Sequence, residues 1–175
     1  LDMAVVLFGE RTPEVFAKLW SGPNSFGDAD DFSMVVLHGK NAPTVEVFVS
    51  SYLAYPQGDL FCVNGTRGGL TGSFQSLKWR FFDPAKAPKQ KLMPGWSCKR
   101  AYNSESLPWV EQSWKLEIPD LFQAISKGFY DNVYEALVRK GKLEVRLDQV
   151  RRQVFVLEEA HRQNPLPRRA AKKAA

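Results

Sequence analysis

The residues best suited to chemistry lie in one stretch, where Trp96, Tyr102, Trp109 and Trp114 are interspersed with the carboxylates Glu105 and Glu111. Flat aromatic rings cover the apolar C–H face of a sugar or cyclic polyol, and carboxylates accept hydrogen bonds from its hydroxyls. These six residues together therefore point to carbohydrate recognition. The same aromatics also suit a second role, capping a sheet, and Trp114 in particular reads as core.

Other chemistries find less support. Gly65-Thr66-Arg67-Gly68-Gly69-Leu70-Thr71-Gly72 is rich in glycine, but a phosphate-cradling loop must open a helix whose N-terminus meets the phosphate. Here Phe74 to Phe82 reads as a strand and no Gly-Lys-Ser/Thr follows, so the segment is expected to be a turn between strands. There is no Gly-x-Ser-x-Gly elbow, and His38 and His161 fall in different elements, which disfavours a triad or a histidine zinc site. His161 is expected to pack on a helix face and His38 to cap a strand end. Asp28-Ala29-Asp30-Asp31 lacks the later Glu of a calcium loop and reads as a solvated turn. Cys62 and Cys98 are too far apart for a metal knuckle and read as free thiols. Asn64-Gly65-Thr66 fits the glycosylation pattern but carries little weight without a secretory signal.

At 175 residues, with 44% hydrophobic and 25% charged residues, the chain has the size and composition of one folded domain. No apolar run approaches the roughly 20 residues that span a bilayer, and no leader is recognised, so the expected location is cytoplasmic. Of the net charge of +5, four units come from Arg168, Arg169, Lys172 and Lys173, so the body is close to neutral. Residues 165–175 read as a disordered basic tail, a weak basis for nucleic-acid binding because so short an arm attracts phosphate without reading sequence.

The elements that must position the site follow from periodicity. Leu1 to Phe8 is an apolar helical stretch ending at Gly9, without an N-cap, and reads as the last part of a longer helix. Alternation then predicts strands over Val15–Trp20, Asp31–His38, Thr44–Tyr52, Leu60–Asn64 and Ser73–Phe82. In the third, Val45, Val47 and Val49 face one way and Glu46, Phe48 and Ser50 the other. Short connections make the pairing largely antiparallel. Residues 83–118 read as a long irregular segment, too aromatic for disorder. Helical periodicity returns at Ile125, Phe129, Val133 and Leu137, stopping at Gly141, and again at Val150, Val154, Leu157 and His161, ending at Asn164-Pro165. Strands first and helices after define an α+β class with an open, largely antiparallel β-sheet and flanking helices.

In this order, residues 1–164 resemble the C-terminal domain of the Gfo/Idh/MocA family of NAD(P)-dependent oxidoreductases. Leu1-Asp2 and Leu7-Phe8-Gly9 look like the end of that family's catalytic helix. Asp30-Asp31-Phe32, Val45-Glu46-Val47, Ser50-Ser51 and Gly65-Thr66-Arg67-Gly68 resemble its sheet signatures. Phe81-Phe82-Asp83-Pro84, Leu107-Pro108-Trp109-Val110-Glu111 and Phe129-Tyr130-Asp131-Asn132-Val133-Tyr134 complete the set.

The resemblance implies a large open sheet that closes one wall of a sugar, inositol or polyol pocket and forms homo-oligomers through its exposed face. NAD or NADP would sit in a preceding N-terminal Rossmann domain, which this sequence lacks. The Glu-Lys-Pro lysine and the Asp-x-x-x-His pair that handle the proton in the family are absent too, so no catalytic residue is expected here and the chain alone should hold no cofactor. Asp2, one helical turn from the position of that histidine, becomes a substrate-binding candidate beside Trp96, Tyr102, Glu105, Trp109 and Glu111. The resulting expectation is the substrate-binding and oligomerisation domain of a dehydrogenase, inactive alone. The alternative is a stand-alone, non-catalytic carbohydrate-binding or assembly module.

Overall fold

The computed structural model describes residues 1–22, 29–55, 58–89 and 106–165. The chain divides into two compact units, one from Leu1–Tyr55 with Ile125–Ala175, the other from Pro56–Ala124. Among the described residues the order is helix, seven strands, two helices, every strand pair antiparallel, which is the α+β class with open sheets. The strands form two sheets, β1-β2-β3 and β4-β5-β6-β7.

The first unit is built on α1 (Asp2–Phe8), β1 (Glu14–Trp20), β2 (Phe32–His38) and β3 (Val45–Ser50). Cross-strand register puts Ala17, Val35 and Val47 in one row and Val15, Leu37 and Val45 in the next, so one face of the sheet is continuously aliphatic. Against it lie Val5 and Phe8 of α1 and Val156 and Ala160 of α3 (Leu147–Gln163), forming the core. Burying side chains of this size contributes about 1.5–3 kcal/mol each for the larger ones.

The last turn of α3 does a second job. The Gln163 side-chain amide accepts from Ala17 N–H at 2.8 Å and donates to Val15 C=O at 2.7 Å, while Asn164 Nδ2 donates to Ala17 C=O at 2.8 Å. Side-chain amides thus stand in for a fourth strand along the outer edge of β1, where unpaired backbone groups would otherwise invite another chain.

The expected stripe on α3 is corrected. Arg152, Val156 and Ala160 form the buried face, whereas Val150, Val154, Leu157 and His161 stay exposed. The helix carries two apolar stripes, and the one holding Ala160 next to Gln163 and Asn164 approaches the strand closely enough to bond its edge. α2 (Leu121–Val138) buries none of its residues fully, and Leu137 of the expected stripe is 79% exposed.

The second unit consists of β4 (Phe61–Gly65), β5 (Gly68–Gly72), β6 (Ser76–Phe81) and β7 (Val110–Lys115), with a 3-10 turn at Pro84–Lys86. Two expectations change here. The glycine-rich segment is a turn only at Thr66-Arg67; Gly68–Gly72 is itself a strand, paired on both sides. The segment 83–118, expected to be irregular, contains a strand, β7, so this sheet has two strands, β5 and β7, beyond those expected. Gly72 explains why glycine is placed within a strand: its φ is 147°, and a Cβ there would run into Ser76 C=O and the Leu77 backbone.

Candidate functional site

Strand alternation splits the sheet of the second unit into an apolar and a polar face. Val63, Leu70, Trp79 and Gln112 form one cross-strand row, flanked on the same face by Phe61, Leu77, Phe81, Val110 and Trp114. Trp114 is 43% exposed on this face, so it is not the core residue expected from its type.

The opposite face carries two polar rows. Asn64, Gly69, Arg80 and Glu111 make the first, Cys62, Thr71, Lys78 and Ser113 the second. A concavity of about 590 Å³ is lined by these two rows and by Val63, Leu70, Trp79 and Gln112 between them. Phe61, Leu77, Phe81 and Trp114 do not line it, which sets the concavity on the polar side of the sheet.

Its side chains are held unequally. Thr71 Oγ1 donates to Asp59, and Asn64 Nδ2 lies 3.8 Å from Cys62 Sγ. The Arg80 guanidinium stacks 4.8 Å from the centroid of the Trp109 ring, and Phe82 meets that ring edge-on at 5.4 Å. Lys78, Glu111 and Ser113 have no side-chain hydrogen bond or ion pair among the described residues. A face with free donors, free acceptors and one restrained aromatic can exchange water for the hydroxyls of a small polar ligand.

Of the residues singled out in the sequence, Glu111 of β7 lines the concavity, and Trp109, just before that strand, lies beside it under Arg80. Asp2 is the exposed first residue of α1 and belongs to the other unit. Trp96, Tyr102 and Glu105 lie outside the described residues, as do residues 166–175 of the basic tail. Asn64, Lys78, Arg80 and Ser113 were not anticipated. Their signal is the alternation Leu77/Trp79/Phe81 against Lys78/Arg80 in β6, which orients both cations to one face.

Elsewhere, His38 ends β2 with Nδ1 3.9 Å from the Glu14 carboxylate. Asp31 enters β2 as a clamp, accepting from Gly22 N–H at 2.8 Å and from the Tyr52 hydroxyl at 3.0 Å. Among the described residues no group of three or more His, Cys, Asp and Glu is placed to hold a metal ion, and no helix is long and apolar enough to cross a membrane.

With this geometry in hand, comparison with known proteins places the fold. Over 97% of its length the chain matches the structure of an oxidoreductase from Bacillus cereus, with a TM-score of 0.65 and 15% identity. Over 93% it matches a "putative oxidoreductase" from Bacteroides fragilis, with a TM-score of 0.56 and 22% identity. The chain spans 48% and 46% of those two structures, about half of each. No protein-family model matches the chain, and no curated protein matches it significantly. The chain therefore has the fold of about half of an oxidoreductase polypeptide.

Proposed function

We propose that this chain is the substrate-binding and oligomerisation domain of an NAD(P)-dependent oxidoreductase of the Gfo/Idh/MocA type, acting on a sugar, inositol or related polyol. The observation that carries the reading is the match of nearly the whole chain to about half of an oxidoreductase structure. The ordered motifs from Leu1 to Tyr134 add to it. In this reading residues 1–164 work as one functional domain, followed by the basic tail from 165.

The nicotinamide supplies hydride transfer wherever it is bound. The described residues do not fit it: the glycine-rich segment is a β-hairpin whose backbone groups face partner strands, and no helix starts after it to meet a pyrophosphate. The cofactor site is accordingly assigned outside them, and the part played by this chain is to hold the substrate. The polar face of β4–β7 supplies hydroxyl-matching groups for that purpose in Asn64, Thr71, Glu111 and Ser113, beside the Trp109 ring. The apolar face of the same sheet is assigned to assembly with further copies.

The test is calorimetric titration of the chain with a panel of aldoses, inositols and sugar acids. Saturable binding of at least one compound is expected, with no oxidation of NADH or NADPH by the chain alone. Absence of binding across the panel would contradict the assignment. The stand-alone alternative is distinguished by the mass of the native gene product, near twice 20 kDa for a dehydrogenase and near 20 kDa for a separate module.

A further inference from the structure

We infer that the concavity on the polar face of the second unit takes an anionic sugar derivative, a hydroxylated skeleton bearing a carboxylate or phosphate, rather than a neutral polyol. The inference rests on the proposed sugar-binding role and names the substrate class within it.

Three observations carry it. First, the two charged side chains of β6, Lys78 and Arg80, sit on adjacent rows of the same face, and both line the cavity. Second, they are available in different ways. Lys78 has no ion pair among the described residues, so its ammonium is a free point charge, while the Arg80 guanidinium is oriented by stacking over Trp109, 4.8 Å from its centroid. Third, the space between is kept open by Gly69, set in register between Asn64 and Arg80. A Cβ on Gly69 would lie 2.9 Å from Val63 C=O and 3.5 Å from Asn64 Oδ1, so a side chain there would crowd the floor of the site.

Glu111, across from Arg80 in register, defines the other end of the ligand. It is an acceptor only and selects hydroxyl donors, while Ser113, beside Lys78 in register, either donates or accepts. An oxyanion at Lys78 with hydroxyls running toward Glu111 satisfies both ends. A second carboxylate near Glu111 would be repelled, so the ligand carries its charge at one end.

The probes are sodium gluconate and glucose 6-phosphate against glucose and myo-inositol, titrated calorimetrically at low ionic strength. A charge-assisted hydrogen bond gained at Lys78 predicts that at least one anionic probe binds about tenfold or more tighter than its neutral counterpart, with the advantage shrinking as salt is added. Lys78→Met keeps the length of the exposed side chain and should remove the anion preference, the fold being checked by circular dichroism. Preference for gluconate identifies the carboxylate as the recognised group, and preference for the phosphate ester identifies phosphate. Neutral and anionic probes binding equally would overturn the inference and leave the sugar-binding role standing. An anion preference unchanged in Lys78→Met would also overturn it. Failure of all four probes would remove the inference together with the role on which it rests.

Discussion

The guanidinium of Arg80 and the indole of Trp109 restrain each other: the ring gives the cation a fixed perch, and the cation covers one ring face. Trp109 is still 40% exposed, with Phe82 against it edge-on, so part of the ring remains open to a ligand. Replacing it should hurt recognition more than folding. Trp109→Ala is expected to weaken sugar binding about two- to tenfold, the range of an aromatic contact, with an unchanged circular dichroism spectrum. Loss of the fold would instead assign Trp109 a purely structural part. At this scale, Trp109 and Glu111 stand out in the sequence as candidates because an aromatic and a carboxylate lie close together in a connecting segment. Lys78 and Arg80 do not, because a cation in a strand takes its meaning only from the partner strand. That partner, β7, falls within a segment whose prolines and aromatics hide its alternation.

Among the elements, α3 shows how a local charge pattern supports packing. Arg146, just before the helix, bonds both Asp148 and Glu10, and its backbone N–H donates to Gln149 Oε1 at 2.9 Å. Arg152, one turn on, carries its guanidinium to Gly9 C=O at the end of α1. The hydrogen bond from Arg146 is the main reason that the Asp148 carboxyl titrates below its ordinary range; desolvation opposes it, and Coulombic attraction to Arg146 and Arg152 adds to it. A carboxylate depressed in the folded state stabilises above its unfolded pKa, and that contribution is lost as the pH falls through the folded one. Asp148→Asn is therefore expected to lower the melting temperature at neutral pH and to lower it less in acid, as the pH falls through the depressed range of the folded-state carboxyl. An equal deficit at neutral and at acid pH would show that the helix start, and not the charge, was disturbed. Strand alternation in β1 to β3 was readable because one face meets a core and the other does not. The stripe of α3 was misread because the helix has two apolar stripes, and side-chain amides beyond the periodic pattern decide which one reaches the sheet.

At the scale of the whole molecule, the strands-then-helices order sufficed for the α+β class, since antiparallel hairpins need only short connections while packed helices need long amphipathic runs. The division into two sheets was beyond it. Strand order depends on β5, whose glycines carry no periodic signal, and on β7. The proposed substrate role rests on the polar face of β4–β7, and the most direct test is to map ligand contacts on the isotope-labelled chain by amide chemical shifts during titration with gluconate and glucose 6-phosphate. Saturable shifts concentrated at Asn64, Gly69, Lys78, Arg80, Glu111 and Ser113 are expected. Shifts confined to the first unit, for example around Asp2 or Tyr52, or no shifts at all, would contradict that role.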